Sequence, residues 1–449
     1  MLHQEIIAAS AHRAEILAAF SHALDLTEGQ PEGHSVRSAW IGMHLGKAIG
    51  LSDRDLTDLY YTIVLKDLGC SSNAARICEL YEADDRAFKN GYKTVGTSLA
   101  ATLRFVFERT ARGKPLPQRV AAIGNILSNG NDIAQELIVS RCTRGADIAA
   151  LLRFPERVSR GIYHLDEHWD GSGRPDRLRG SAIPLFSRIA LLAQVADVFC
   201  THAGSSAALD EVRRRAGKWL DPDLVSAFEH VAAREELWTA LKSPVLTARV
   251  AALVPATDEV AVDEDYLDAI ATAFGQVIDA KSPFTSSHSA RVADLTCAIA
   301  ARIDLPGDRV RGLRRAALLH DVGKLGVSSA VLEKPRSLDE QEWALMRDHA
   351  EHTRAILSKI GVLQPIADMA AAHHERLDGR GYPRRLGEDR IELETRIITV
   401  CDIYDALTSD RPYRAAMPRE SAFEIMAQMV GTAIDPDCFE ALKAAVAGA

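Results

Sequence analysis

The chain of 449 residues contains the same short sequence patterns twice, at a constant separation. The tetrapeptide HSVR beginning at His34 resembles HSAR beginning at His288, and KDLG beginning at Lys66 resembles HDVG beginning at His320. Both pairs lie 254 positions apart (288 − 34 and 320 − 66). Because self-similarity at a fixed separation is the signature of a repeated structural unit, the sequence predicts a tandem duplication of one domain.

The first copy is expected to be the longer of the two. DGSGRP beginning at Asp170 resembles DGRGYP beginning at Asp378, only 208 positions later, so the first copy has 46 extra residues (254 − 208). A last match pairs Asp197 with Asp402 at a separation of 205, and the difference of three residues is close to one helical turn. The extra residues are expected to include 113–138.

The hydrophobic pattern is that of helices throughout. Apolar residues recur every three or four positions in segments such as 263–280 and 308–324, and sustained alternation of apolar and polar residues is nearly absent. An almost entirely α-helical fold is therefore expected. A Pro-bearing acidic stretch predicts a linker at 251–265 between domains at 1–250 and 266–449.

Composition and charge narrow the function classes. A formal net charge of −9 disfavours nucleic acid as a partner, since Lys and Arg must neutralise its phosphates. A membrane span needs about 18–20 apolar residues in a row, and no such run is found, so no membrane partner is expected. The seven cysteines include no Cys-x-x-Cys pair, and charged side chains interrupt the N-terminal segment where an export signal would be apolar. A cytoplasmic location is expected.

Residue types that bind metal ions are concentrated in the second copy. Imidazoles with carboxylates suit iron, manganese, zinc or nickel, and the lack of thiolates argues against a purely structural zinc site. A single His on a helix is more often packed or exposed than a ligand, but adjacent His-Asp and His-His pairs in one domain would be costly to bury without an ion. The residues concerned are His288, His320, Asp321, His349, His352, His373, His374 and Asp402.

These residues predict a centre with two divalent ions bridged by one carboxylate. Two ions about 3.5–4 Å apart can lower the pKa of a shared water and stabilise the charge of a phosphoryl displacement. Asp321 is the natural bridge, because its two oxygens can reach both ions, and Lys324 could place its ammonium on a phosphate oxygen. The remaining assignments put His288, His320 and Asp402 on one ion and His349, His373 and His374 on the other.

Five motifs in order make the second half resemble the HD-GYP domain, a subgroup of the HD phosphohydrolase superfamily. They are SPFTSSHSARVA at 282–293, LLHDVGKLGV at 318–327, MRDHAEHT at 346–353, HHERLDGRGYP at 373–383 and VCDIYDALTSDRPYR at 400–414. The resemblance covers about 280–440. It implies two tandem helical HD-type domains, all-α, of which the C-terminal one is of HD-GYP type and hydrolyses cyclic di-GMP to linear pGpG and, in some members, on to GMP.

The resemblance also implies roles for particular residues. Matched position by position, the metal ligands of the family fall on the seven residues assigned above to two ions, for which iron or manganese is expected. Asp321 and Lys324 are the expected catalytic residues. The expected substrate contacts are Lys324, Gly381, Tyr382, Pro383, Arg411 and Arg414.

Some positions depart from the family pattern or keep two interpretations. Some members hold a third ion through a Glu where this chain has Phe284, so two ions are expected here. His352 is interpreted as a surface residue, with a supporting position behind the metal ligands as the alternative. Tyr382 is expected either to line a pocket against guanine or to help dock diguanylate cyclase domains. Arg411 and Arg414 are interpreted as substrate contacts, with solvated charges at a helix start as the alternative.

The first copy lacks most of the ligands, so no metal centre is expected there. It keeps His34, Asp67 and Asp197, and Lys66 is expected to place its ammonium where an ion would balance these carboxylates. The replacements inferred from the repeat are Lys66 for His320, Cys70 for Lys324, Val95 for His349, Leu165 for His373 and Asp166 for His374. This half is left with several roles open: it could brace the second half, form a dimer interface, or bind a regulatory nucleotide or a partner.

The leading function is therefore metal-dependent hydrolysis of cyclic di-GMP. One alternative is the hydrolysis of cyclic GMP-AMP, which differs in one base. A second alternative is a non-catalytic receptor or scaffold that acts through the Gly-Tyr-Pro loop, and a general HD-type nucleotide hydrolase is disfavoured by that tripeptide. A homodimer is left open.

Overall fold

The computed structural model describes residues 13–96, 98–255 and 262–447, and within these ranges it is built of helices joined by turns. Pairing between extended residues is limited there to isolated β-bridges, such as that between Asp378 and Gly387. The expected all-α fold is confirmed. The N-terminal 12 residues, which belong to the segment where an export signal would lie, are outside the described residues.

The chain divides into two compact units, with the boundary between Val262 and Asp263. Residues 256–261 of the predicted linker lie outside the described residues. The helices of the first unit are α1 Arg13–Thr27, α2 His34–Ala48, α3 Asp53–Val64, α4 Ala74–Tyr81, α5 Asp85–Lys93, α6 Leu99–Arg109, α7 Leu116–Leu151, α8 Glu156–Tyr163, α9 Leu185–Ala203, α10 Ser205–Arg215, α11 Pro222–Ala232, α12 Glu235–Ala240 and α13 Leu246–Ala251.

The second unit repeats the plan of the first in fewer residues. Its helices are α14 Glu264–Asp279, α15 His288–Arg302, α16 Gly307–Leu319, α17 Ser329–Leu332, α18 Glu340–Ser358, α19 Gln364–Ala371, α20 Leu393–Thr408, α21 Arg419–Ala427 and α22 Pro436–Ala447. The segment predicted to be helical over 308–324 is α16 followed by a 3-10 turn at Val322–Gly326.

One helix of the described chain, α9, is long and apolar enough to cross a membrane by length and composition alone. The segment contains no uninterrupted apolar run of that length, because Arg188 and Asp197 lie within the helix. Of its most apolar window, 61% is buried inside the protein, which is the property of a core helix. It is therefore weak evidence for a span.

In each copy, the helix that starts with the HSxR motif is attached to the preceding helix by one buried carboxylate. Asp279, at the end of α14, accepts hydrogen bonds from the backbone N–H and the hydroxyl of Ser289 at 3.1 and 2.7 Å. Asp25 makes the same two bonds to Ser35 at 3.0 and 2.7 Å. Burial raises the pKa of Asp25 to about 7. This contact places the first His of each copy at the start of a helix that faces the core.

A glycine in each copy locates the extra residues of the first. A Cβ built on Gly323 would lie 1.9 Å from the carbonyl oxygen of His349, and a Cβ built on Gly69 would lie 1.9 Å from that of Arg141. The two glycines are 254 positions apart and their backbone neighbours 208 (349 − 141). The 46 extra residues therefore lie between Gly69 and Arg141, a segment that includes α4, α5, α6 and the beginning of α7.

This contact predicts that Gly69→Ala destabilises the protein by roughly 1–3 kcal/mol, since a methyl group has no space against the α7 backbone. Gly312→Ala is the matched control, because the nearest atom would be 3.8 Å away and Ala favours a helix interior by up to about 1 kcal/mol. Urea unfolding of both full-length variants checks this. A Gly69→Ala variant as stable as the wild type would contradict the close approach.

Candidate metal centre

Four imidazoles of the second unit have one ring nitrogen anchored and the other turned toward a common point. A backbone carbonyl can only accept a hydrogen bond, so a ring Nδ1 that contacts one carries the hydrogen and leaves Nε2 with its lone pair. The Nδ1 contacts are His320 to Ala317 O at 2.7 Å, His349 to Met346 O at 2.5 Å, His373 to Ala370 O at 2.7 Å, and His288 to the carboxylate of Asp405 at 2.7 Å.

The atoms that face this point are buried and have no hydrogen-bond partner among the described residues. They are the Nε2 atoms of His288, His320, His349 and His373 together with Oδ1 of Asp321. Buried polar atoms are normally paired, because leaving one unpaired costs about 1–3 kcal/mol. Unpaired acceptors that converge on one place fit a bound cation, so the donor set fits the metal ions expected from the sequence.

Asp321 lies at the middle of the cluster, with its two oxygens turned to different histidines. Its Oδ2 is 3.6 Å from Nε2 of His288 and 3.3 Å from that of His320. Its Oδ1 is 3.5 Å from Nε2 of His349 and 3.7 Å from that of His373. A bridging carboxylate would need this placement between two sets of ligands.

Asp402 and His374 complete the two sets. Oδ1 of Asp402, from the middle of α20, is 3.4 Å from Nε2 of His288 and 3.9 Å from that of His320. His374 follows α19, and its candidate ligand atom lies within 4.8 Å of those of His349 and His373. The structure thus brings together all seven residues predicted to be ligands, from five helices and their ends.

The charges in the cluster suit metal ligation at neutral pH. Burial lowers the pKa of His349 to about 4 and that of His374 to about 3, and it lowers the pKa of His373 well below the ordinary value. Burial opposes ionisation of Asp321, but the ammonium of Lys324 and the rings of His320 and His288 together outweigh it and hold the pKa of this carboxyl well below its usual range. Neutral imidazoles and ionised carboxylates are the forms that bind metals.

The pKa of His288 is shifted upward, unlike those of His349, His373 and His374, but this shift also indicates a site that attracts positive charge. Burial disfavours a proton on its ring, but contacts with Asp321, Asp402 and Asp405 outweigh this effect and raise its pKa well above the ordinary value. The carboxylates therefore draw a positive charge to this point.

The Gly-Tyr-Pro loop packs directly on the candidate ligands. The ring of Tyr382 lies 4.7 Å from that of His374 and 6.3 Å from that of His349. A Cβ on Gly381 would be 2.6 Å from the carbonyl oxygen of His374, so only glycine allows the loop to approach this closely. Tyr382 and the adjoining Pro383 are partly buried. Of the two interpretations of Tyr382, a wall of the centre is the one this contact favours.

The basic residues predicted to contact substrate have different surroundings. Nζ of Lys324 lies 2.5 Å from Oδ2 of Asp321, at the edge of the cluster. The guanidinium of Arg414 donates to Ala406 O at 2.6 Å and Leu407 O at 2.8 Å, so it caps the last turn of α20. The backbones of Arg411 and Arg414 form an isolated antiparallel β-bridge after α20. Neither residue lies at a helix start.

A cavity of about 420 Å³ lies on the surface of the second unit. Its lining residues are Pro283, Phe284, Ser286, Arg291, Thr408, Ser409, Asp410 and Ala416. Arg291 also contacts Asp405, which holds His288, so the cavity adjoins the candidate ligands through this chain of contacts. His352 is half-buried and its Nδ1 has no hydrogen-bond partner among the described residues, so it is not the surface residue expected from the sequence.

Asp405 and Arg291 are the members of the site that sequence reasoning missed. In the first copy, Asp197 contacts Nδ1 of His34 at 2.7 Å just as Asp405 contacts His288. Asp197 is therefore the counterpart of Asp405, at the separation of 208 already given by the DGxGxP motifs. Its sequence match to Asp402 was wrong.

Two corrections to the first copy follow from the separation of 208. Gln194 stands at the position of Asp402, so this carboxylate is lost. Arg141, and not Val95, stands at the position of His349, since both approach the glycine described above. The match of Val95 to His349 used the separation of 254, which no longer applies at Arg141 because the extra residues of the first copy precede it.

Positive side chains occupy the first copy's equivalent of the centre. Lys66 pairs with Asp67, and Arg141 pairs with Asp166. Asp67 retains the candidate ligand Asp321, whereas the other three residues stand at the positions of candidate ligands that are histidines in the second copy. Glu28, Asp67 and Cys70 also converge, but Lys93 lies 2.8 Å and Lys89 lies 3.5 Å from the Glu28 carboxylate. Ammonium and guanidinium groups thus supply the positive charge. Lys66 balances Asp67 as expected, whereas Asp197 contacts His34 and Arg37.

A buried cluster of imidazoles and carboxylates in an all-helical unit, with a lysine and a glycine-rich loop at its edge, defines a metal-dependent phosphohydrolase of the HD type. The HD domain family model matches residues 114–224 and 273–438, which together exceed half of the chain, so the chain belongs to this family.

Comparison with individual proteins narrows the class. The 3'3'-cGAMP-specific phosphodiesterase 3 of Vibrio cholerae is 52% identical over 434 residues, which are 96% of this chain and 94% of that protein. A crystal structure of a cyclic GMP-AMP specific phosphodiesterase of V. cholerae has a TM-score of 0.66 and 47% identity, and the match covers 97% of each chain. A cyclic di-GMP phosphodiesterase of Pseudomonas aeruginosa is 40% identical over 164 residues, 36% of this chain and 39% of that protein. The chain is an HD-GYP phosphodiesterase.

The charge pairs of the first copy predict that Lys66→His alone does not create a metal site. Arg141, Leu165 and Gln194 would still stand where the second copy has two histidines and an aspartate. Elemental analysis of the full-length variant should give the same metal content per chain as the wild type. A stoichiometric gain of iron or manganese in the variant would contradict this account.

The buried His34 predicts a loss of stability in acid. Burial lowers its pKa to about 4, from an ordinary value near 6.5. The unfolded chain therefore takes up the proton first, so this stabilisation is complete above about pH 6.5 and is lost as the pH falls toward 4. Between pH 7 and 4.5 the wild type should lose about 2 kcal/mol more than His34→Gln, at about 1.4 kcal/mol per pKa unit. Urea unfolding at several pH values measures this, with the exposed His230→Gln as a control that should keep the wild-type slope.

Proposed function

We propose that this chain hydrolyses 3'3'-cyclic GMP-AMP at the candidate metal centre of its second unit. The carrying observation is the convergence of four unpaired Nε2 atoms and two carboxylates on one buried point. The substrate is argued from the relative that spans nearly the whole chain and acts, by its name, on this cyclic dinucleotide. The relatives named for cyclic di-GMP match about 40% of the chain or less, so the alternative of the sequence analysis is better supported than its leading function.

The proposed centre holds two divalent ions, iron or manganese. When bound, such ions activate a water and stabilise negative charge on a phosphate. His288, His320 and Asp402 would hold one, His349, His373 and His374 the other, and Asp321 would contact both. Four of the five histidine rings are anchored in advance through Nδ1 by hydrogen bonds, so little ordering is needed for binding.

Other groups of the chain act on the substrate. Lys324 lies beside Asp321 with about 20% of its side chain exposed, so its ammonium can contact a phosphate oxygen while it stays near the centre. Tyr382 covers His374 and His349 and limits the access of bulk water to them. We assign no direct phosphate contact to Arg414, whose guanidinium holds the end of α20, and Arg411 stays a candidate contact.

The cavity at Phe284 and Arg291 is a suitable place for one end of the substrate. Its volume of about 420 Å³ can hold a nucleotide, and it offers an aromatic ring, a guanidinium and a carboxylate from Asp410. An aromatic face stacks on a purine, and a carboxylate can accept hydrogen bonds from guanine. Contact with one base of two gives a basis for discrimination between cyclic dinucleotides.

We place the enzyme in the cytoplasm, because four of its cysteines are buried as thiols, as suits a reducing compartment. Docking of diguanylate cyclase domains at the Gly-Tyr-Pro loop and a homodimer stay predictions.

The proposal predicts that anaerobically purified, manganese-loaded protein cleaves 3'3'-cyclic GMP-AMP with a higher kcat/KM than cyclic di-GMP. Asp321→Asn should lower the rate by more than about 100-fold, because the central carboxylate is lost. Chromatography of products from a panel of cyclic dinucleotides measures both. Asp67→Asn, at the same position of the first copy, is the matched control and should retain activity in folded protein.

Two outcomes would contradict the proposal in different ways. A preference for cyclic di-GMP would overturn the substrate but leave the enzyme. Binding of a cyclic dinucleotide without turnover by metal-loaded wild type would favour the receptor alternative.

A further inference from the structure

His288 differs from the other anchored histidines in what holds its ring. The rings of His320, His349 and His373 each donate to a carbonyl three residues earlier, so their local backbone orients them. His288 instead contacts Asp405, which is 117 positions away on α20. Its orientation therefore depends on a contact between two helices.

Asp405 is itself held in place from the other side. Nε of Arg291 lies 2.5 Å from its Oδ1, and Nη2 of Arg291 lies 3.0 Å from its Oδ2. The remaining guanidinium nitrogen donates to the carbonyl of Ser286 at 2.7 Å. The Asp405 carboxylate is thus buried with a two-point contact to Arg291 and one contact to His288, and it cannot turn without breaking them.

The first copy contains the same arrangement without the metal-binding residues. His34 Nδ1 lies 2.7 Å from Asp197, and Arg37 contacts Asp197 at 2.6 and 3.3 Å and donates to the carbonyl of Glu32 at 2.7 Å. The contribution that this carboxylate makes to helix packing, through Asp197 in one copy and Asp405 in the other, is therefore present in both copies. An effect on metal binding can be present only in the second, which makes the first an internal control.

We infer that Asp405 is a positioning residue of the metal centre: it holds His288 in the orientation and tautomer that direct Nε2 at the ions, and Arg291 holds Asp405. The inference rests on the proposed metal centre. A carboxylate that accepts from the far nitrogen of a ligating imidazole also makes the ligand more basic, and loss of such a partner typically costs about 10- to 100-fold in metal affinity.

The test compares Asp405→Asn with Asp197→Asn in the full-length chain. Both substitutions keep the side-chain shape and remove the charge. Free Mn²⁺ is measured from its six-line EPR signal during titration of metal-free protein, and thermal unfolding is recorded for both variants without metal. We expect Asp405→Asn to bind Mn²⁺ about 10- to 100-fold more weakly than wild type, and Asp197→Asn to bind as wild type does. Both should lose thermal stability to a similar extent.

A second pair of variants keeps the test open if Asp405→Asn does not fold. Arg291→Met leaves His288 and Asp405 in place, and Arg37→Met is its counterpart. Weaker Mn²⁺ binding in Arg291→Met alone supports the inference.

Three results would overturn it. Wild-type Mn²⁺ affinity in Asp405→Asn would show that His288 needs no such partner. Equal weakening in Asp405→Asn and Asp197→Asn would assign the effect to general packing. A wild-type chain that binds no Mn²⁺ would overturn the metal centre itself, and because no substrate is used, this result is distinct from a wrong choice of cyclic dinucleotide.

Discussion

The structure of the second unit depends on one electrostatic constraint: four ring nitrogens and a carboxylate oxygen meet in its interior without a hydrogen-bond partner among the described residues. Such atoms are costly to remove from water unless something positive lies among them. The imidazoles of four histidines, His288, His320, His349 and His373, are anchored through Nδ1, so their Nε2 lone pairs are directed before any ion arrives. The helices that supply the ligands pack through alanine, leucine and isoleucine side chains around them, and these contacts offset the cost of assembling the site.

The first unit meets the same constraint by a different chemistry. Where the second has His320 beside Asp321, the first has Lys66 beside Asp67. Where the second has His349 and His374, the first has Arg141 and Asp166 as an ion pair. Fixed cationic side chains thus replace the need for ions, and the helical scaffold, including the carboxylate that joins the first His to a later helix, is retained. A buried ion pair of this kind preserves packing without offering a free lone pair to a metal.

Sequence reasoning did well where the chain is locally regular. The repeat, the helical class and the list of seven candidate ligands follow from motifs whose residue types and order are visible in one dimension. It failed at Asp197 and at the counterpart of His349, because extra residues inside the first copy break a constant offset and a short motif such as Val-Ala-Asp matches at the wrong helical turn. Only the contact of Asp197 with His34 and the close approach of Gly69 to Arg141 reveal the true correspondence.

By itself, the sequence determined that this chain is a duplicated helical protein with histidines and aspartates concentrated in the second copy, since composition, periodicity and repeats do not depend on how helices pack. Tertiary structure alone decided that the Nε2 atoms of four imidazoles meet at one point and that the oxygens of Asp321 face different histidines. It also decided that Asp405 stands behind His288. These properties arise from distances between residues up to 117 positions apart, and such distances exist only once the helices are packed.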